Sequence, residues 1–295
     1  MLTGEETEKY LQAGRLAAKI REEMLKKIRV GERLLDIAEE IERKIIDGGA
    51  KPAFPVNICV NEAAAHYTPQ INDARVVGAG GLVKIDLGAH IDGYIADLAF
   101  TWCSEKSRLI DVSGKALDAG ISMMRPGIKI SEVSLAINKV IAHSGFGPVV
   151  NLTGHSLGRY VFHGGTSIPN VPTGSSYVLK EDDVFALEPF VCESPCHVED
   201  SEPVEIFQFI NRKPVRSMEA RKILDLAENE FHGLPFAKRW LVRHISPIRI
   251  KLALIELEKV GAIMRYPILK DMGGRKIAQS EHTVIVAEKP VVTTK

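Results

Sequence analysis

Asp86 and Asp97 are the first residues in this chain whose type and spacing could do chemistry. They lie in Val83-Lys84-Ile85-Asp86-Leu87-Gly88-Ala89-His90-Ile91-Asp92-Gly93-Tyr94-Ile95-Ala96-Asp97, where Asp92-Gly93 between two apolar runs signals a hairpin with a two-residue turn. If Ile91 pairs with Tyr94, Gly88 falls opposite Asp97, and Asp86 shares the face of Gly88. The two carboxylates are then diagonal neighbours, ~7–8 Å apart at the backbone, and Gly88 is expected to leave room between them. An acid inside an apolar strand is costly unless a cation or hydrogen bonds compensate it, and two on one face raise each other's pKa. The pair therefore asks for a metal ion or a shared proton.

Three later positions supply matching ligand types: His155 after Gly154, Glu188 in Leu187-Glu188-Pro189, and Glu281 in Ser280-Glu281-His282. Glu188 follows the apolar run Val184–Leu187 and Glu281 precedes Thr283–Val286, so each acid stands at the margin of a buried strand. Four carboxylates and one imidazole suit a two-metal site for Mn, Fe, Co or Zn and do not suit a Cys-rich structural zinc site. Cys192 and Cys196, beside His197, lack the second pair such a site needs and read as a loop feature. His143, His232 and His244 lie on or beside helices and read as solvated or satisfied in place. Strand alternation turns His90 and His282 away from their acidic neighbours.

The elements that must position these groups show a repeat. Apolar residues from Glu6 to Arg29 and from Leu34 to Ile46 recur at helical spacing, ahead of a first strand near Phe54–Val60. Shifted by 96 positions, Arg29-Val30-Gly31 falls on Arg125-Pro126-Gly127, and Leu34, Ile37, Ile41, Ile45, Gly49 and Pro52 fall on Ile130, Val133, Ile137, Ile141, Gly145 and Pro148. A duplicated helix–helix–strand unit implies two halves about a pseudo-twofold axis, with the cleft between them favoured for a site. Further strands are expected at Leu82–Leu87, Tyr94–Trp102, Val184–Phe190, Val204–Phe209 and Thr283–Ala287. Between Pro214 and Glu258 the pattern turns helical (Met218–Glu230, Pro235–Val242, Pro247–Glu258), with no strand until a hairpin at Ala262–Leu269 and Gly273-Gly274. The basic stretch Lys238–His244 reads as a solvated face that could touch ribosomal RNA.

The chain has 295 residues, 45% apolar and 26% charged, with 38 basic and 38 acidic side chains. Its length and composition are those of a globular protein, and the charge balance excludes whole-molecule attraction to nucleic acid or anionic lipid. Four cysteines are too few for a disulfide framework, which fits a reducing compartment. No signal-peptide pattern and no apolar run of membrane-spanning length is present.

The residues resemble a family. Lys51–Asn57, Asn61-Glu62-Ala63-Ala64-Ala65-His66-Tyr67-Thr68-Pro69, the Asp86–Asp97 hairpin, Gly154-His155, His163-Gly164-Gly165, Phe185–Pro189 and Glu281-His282-Thr283 are similar to the motifs of type 2 methionine aminopeptidases, in the shorter archaeal form. The resemblance implies an α/β "pita-bread" fold, duplicated about a pseudo-twofold axis, over residues 1–295, with a winged-helix-like insertion at 212–270. It implies metal ligands Asp86, Asp97, His155, Glu188 and Glu281, with Asp97 and Glu281 bridging two divalent ions. Glu188 would shuttle the proton, His66 and His163 would face the substrate, and Phe54 and His66 would help form the methionine pocket. His163 would also stabilise the oxyanion.

The activity implied is removal of the initiator methionine, ahead of a small second residue, from nascent polypeptides in the cytoplasm by a monomer that contacts no membrane and that could associate with the ribosome. The alternatives are an Xaa-Pro-directed peptidase and a catalytically weak homologue acting as a ribosome- or RNA-binding module. Dead members lose ligands, and none is missing here.

Overall fold

A computed structural model describes residues 1–295. The N-terminal half begins with α1 (Gly4–Lys27), whose first turn is closed by reciprocal Thr3–Glu6 capping, and α2 (Leu34–Asp47). After them come the strands β1 (Lys51–Val60), β2 (Ala63–Ala65), β3 (Val83–Ile91) and β4 (Tyr94–Trp102), with β1, β3 and β4 forming one antiparallel sheet. Ile37, Ile41 and Ile45 of α2 pack on Val56, Ile58, Ile85, Leu87 and Leu98. By strand alternation that burial sends Asp86, Gly88 and Asp97 to the opposite face.

The second half repeats the plan with α3 (Arg108–Ile121), α4 (Ile130–His143) and β5 (Gly147–Pro148). The expected duplication is present in detail: α2 and α4 coincide under the 96-residue shift, and both entry glycines, Gly31 and Gly127, sit at positive φ (89° and 87°). Their N–H groups donate to equivalent carbonyls, Val77 and Leu179. Next come β6 (Thr153–Ser156), β7 (Ser167–Pro169), β8 (Val184–Leu187), β9 (Phe190–Cys192) and β10 (Glu199–Phe209).

Between β10 and the late strands lie α5 (Met218–Asp225), extended by a π turn to Glu230, β11 (Phe236–Ala237) and α6 (Pro247–Lys259). Their apolar faces form a core of their own, with Ile223, Leu224, Phe236, Leu241, Ile250 and Leu254 buried together. The chain ends with β12 (Ile263–Lys270), β13 (Ile277–Gln279), β14 (His282–Ile285) and β15 (Val291–Val292).

Pro235–Val242 is helical only in its second part, as a 3₁₀ helix over Lys238–Arg243, because Phe236–Ala237 form β11 and pair with β10 through Phe236–Phe207. Residues 262–269 form no hairpin across Gly273-Gly274, because β12 pairs with β10 and β2 while β13 pairs with β9. The basic stretch is only partly a solvated face. Arg239 is buried against Glu42 and Thr68, and Lys238 pairs with Glu205 at 3.1 Å, whereas Arg243 and His244 are exposed. A guanidinium there ties this region to α2, since a buried Glu42 needs a cation.

The segment read as one strand over Val184–Phe190 is two, because Glu188-Pro189 interrupts it; Ser280-Glu281 interrupts β13 and β14 at the neighbouring position. Since β9 pairs with β13 and β8 with β14, the breaks lie side by side, and the Ser280 N–H donates to the Pro189 carbonyl. Threonines then join the two halves edge to edge. Thr283 Oγ1 accepts from the Asp97 N–H at 2.7 Å, Thr101 Oγ1 donates to the Gln279 carbonyl at 2.7 Å, and the Glu281 N–H donates to the Ala99 carbonyl at 2.9 Å. No helix is long and apolar enough to cross a membrane.

Candidate metal centre

The hairpin has the predicted register: Ile91 pairs with Tyr94, Gly88 with Asp97, and Asp92 and Gly93 form the turn at positive φ (49° and 88°). The space above Gly88 is not open to ions, however. A Cβ at this position would lie 2.2 Å from Cε1 of Phe54, so the missing side chain makes room for that ring. Gly88→Ala is therefore expected to destabilise the protein by about 1–3 kcal/mol through overpacking. A urea melt of wild type and variant checks this.

His155, on β6, pairs with Ala186 of β8 and so faces the hairpin acids across the seam; Glu188 and Glu281 enter from the adjacent strand breaks. His155 Nε2 lies 3.6 Å from Asp97 Oδ2 and 3.7 Å from Glu188 Oε1. One donor atom each from Asp97, His155 and Glu281 fall within 4.8 Å of one another. These residues, with Asp86, Glu188, Phe54, His66 and His163, line one cavity of about 40 Å³. At ~10–15 Å³ per water-sized occupant, it accommodates about three small species.

The electrostatics state what is wanted there. Asp86 Oδ1, Asp97 Oδ1 and Glu281 Oε2 are buried without any hydrogen-bond donor. Burial raises the pKa of Asp86 to about 7, and burial together with neighbouring acids pushes Asp97, Glu188 and Glu281 well above the usual carboxylate range. Desolvation holds the His155 imidazole neutral, with its pKa down to about 4. Neutral imidazole and oxygen donors converging in a small enclosed space are a fitting ligand set for divalent cations. Buried acids with no compensating group otherwise destabilise the fold.

Two further histidines border the cavity. The Nδ1–H of His66 donates to the Pro267 carbonyl at 3.2 Å, which leaves Nε2 as an acceptor. Gln208 donates from Nε2 to the Gly233 carbonyl, so its Oε1 accepts from the Tyr266 hydroxyl at 2.5 Å. The Tyr266 oxygen in turn lies 3.2 Å from His163 Nδ1. For Nε2 of neutral His163 to donate to an oxyanion, the Tyr266 hydroxyl must turn toward Nδ1. The His163 ring packs on His155 and Phe162, with centroids 4.3 and 4.2 Å apart, and Phe162 packs on Phe54 at 4.5 Å.

The metallopeptidase family M24 model matches residues 8–288, and the chain is 45% identical over 293 residues to a methionine aminopeptidase of Thermococcus onnurineus, covering 98% of this chain and 99% of that one. The chain belongs to metallopeptidase family M24, among its methionine aminopeptidases. In shape it is similar to a thermophilic Arx1 (TM-score 0.85, 16% identity, 99% of this chain and 91% of that one). It is also similar to a methionine aminopeptidase of Thermotoga maritima (TM-score 0.70, 24% identity, 100% and 98%). At those identities the likeness shows the fold alone, and that fold is the expected pita-bread arrangement.

Some site residues escape a reading of the sequence. Gln279 Nε2 donates to Glu188 Oε2 at 3.2 Å, Thr283 brackets the Asp97 backbone, and Asn57, Ile206 and Tyr266 line the cavity. For Gln279 the signal was its position two residues before Glu281. Nothing in sequence pointed to Tyr266. Of the residues set aside, His90 accepts from the Gly93 N–H inside the hairpin, His282 contacts Thr294, and Cys192 and Cys196 are buried away from the cavity.

Proposed function

We propose that this chain is a type 2 methionine aminopeptidase that removes the initiator methionine from nascent polypeptides in the cytoplasm, using two divalent ions drawn from Co, Mn, Fe or Zn. The observation that carries the reading is the convergence of Asp97, His155 and Glu281 donor atoms within 4.8 Å, beside Asp86 and Glu188. Asp86, Asp97, His155, Glu188 and Glu281 would hold the ions. Bound cations supply Lewis-acid polarisation of the scissile carbonyl and make water acidic enough to attack at neutral pH.

The side chains do the rest. Glu188, whose pKa is raised by burial, accepts the proton of the attacking water and returns it to the leaving amine. His66, whose Nε2 is left free as an acceptor, faces the substrate. His163 donates to the developing oxyanion in the tautomer reached when the Tyr266 hydroxyl turns. Phe54 and His66 receive the methionine side chain, and an apolar pocket of this kind discriminates by only a few kcal/mol. Residues 212–270 form an inserted helical subdomain on the catalytic body, and the protein acts as a monomer.

The test is to incubate metal-loaded protein with Met-Ala-Ser and with Xaa-Pro peptides and to measure free amino acid. Methionine is expected from the first and nothing from the second. Release from the Xaa-Pro set alone overturns the substrate assignment.

A further inference from the structure

We propose that Asn57 recognises the free α-amino group of the substrate, its side-chain oxygen accepting a hydrogen bond from that amine beside Asp86. The assignment rests on the reading that the substrate is a peptide with an N-terminal methionine. Asn57 is 5% exposed, lines the cavity and is the register partner of Asp86 across β1 and β3, so the two side chains leave the sheet on one face.

The orientation of the amide is fixed. Asn57 Nδ2 donates to the Pro55 carbonyl at 3.1 Å, and a carbonyl only accepts, so a flipped amide would set oxygen against oxygen. Oδ1 is thereby left buried with no donor, and so is Asp86 Oδ1 on the opposed strand. A buried amide oxygen without a donor suits a primary amine, which carries several N–H groups on one atom, while Asp86 is left to the ions.

A bulge in β1 puts Asn57 there. Phe54 pairs with Gly88 and Asn57 with Asp86, so three steps along β1 match two along β3. The extra residue restores parity, and Phe54 and Asn57 both face the cavity. The two residues inside the bulge leave no donor unpaired, since Pro55 has no N–H and the Val56 N–H donates to Glu42 Oε1 at 3.2 Å. Phe54 and Asn57 thus meet the two groups that diverge from a single methionine Cα, its side chain and its amine. An amine-reading side chain accounts for cleavage after the first residue only.

The experiment uses metal-loaded protein and two ligands, L-methionine and its des-amino analogue 4-(methylthio)butanoate, titrated calorimetrically. Asn57→Leu is expected to weaken methionine binding by about tenfold or more, the scale of one hydrogen bond to a charged group, while binding of the des-amino analogue is unchanged. Asn57→Asp, which keeps an acceptor oxygen, is expected to retain the preference for the amine. Retained analogue binding also reports a folded site. Equal loss of both ligands, or loss of neither, overturns the assignment. Weaker binding of Mn²⁺ alone by Asn57→Leu also overturns it, because it makes Asn57 a metal ligand. Wild-type protein that neither binds nor releases methionine removes the functional reading itself. A wild type that does both, with an unaltered Asn57→Leu, removes only the role of Asn57.

Discussion

Asp97→Asn is expected to lower methionine release from Met-Ala-Ser by about a thousandfold, equivalent to the several kcal/mol that metal-assisted charge stabilisation supplies. Asp97 is crowded by the other acids: burial, then Asp86 and Glu188, raise its pKa, and its carboxylate faces His155 at 3.6 Å. The backbone at this position is held independently of the side chain, because Thr283 Oγ1 accepts from the Asp97 N–H and donates to its carbonyl at 2.9 Å. Asparagine keeps the shape and removes the charge. The metal-free variant is accordingly expected to melt at a higher temperature than metal-free wild type, since one of four crowded acids is gone, and to gain less on adding metal. Turnover and bound metal per chain are measured together. Undiminished turnover in the variant rules out Asp97 as a ligand.

The gap in melting temperature between metal-loaded and EDTA-treated protein is expected to widen by about 5 °C or more from pH 6 to pH 8. The sign comes from the native pKa values. Asp86 titrates at about 7 rather than 3.8 in the metal-free fold, and Asp97, Glu188 and Glu281 are raised too. Above the unfolded-state values near 4 the metal-free native state holds more protons than the unfolded chain, so its stability falls as pH rises through the folded values. Cations held by these acids would remove that loss, and their binding would strengthen as the acids deprotonate. Each group contributes up to about 1.4 kcal/mol per pH unit, and 1 kcal/mol moves the melting point of a domain this large by about 2–4 °C. Comparing loaded with stripped protein cancels groups elsewhere, such as Lys84, whose pKa burial lowers to about 8. A gap that is constant or narrows with pH sinks the prediction.

The hairpin carrying Asp86 and Asp97 was legible because a two-residue turn fixes strand parity locally, and parity alone decides which side chains share a face. The duplication was legible because α2 and α4 each bury one stripe at the same offsets from an R-x-G entry. Pro235–Val242 misled because its apolar residues suit a helix as well as the edge strand and 3₁₀ turn that Phe236–Phe207 pairing and the Arg239–Glu42 pair impose.

By itself, then, the sequence determined the pattern: two copies of a helix pair and sheet, with acids in and at the margins of buried strands. The tertiary structure alone decided that Glu188 and Glu281 meet at one seam, that Phe54 rather than an ion fills the space over Gly88, and that a bulge turns Asn57 beside Asp86. Patterns of burial repeat over a few residues and are written into neighbours along the chain. Register, bulges and edge contacts join residues far apart in sequence, and they are fixed only when distant strands satisfy each other's hydrogen bonds and volumes.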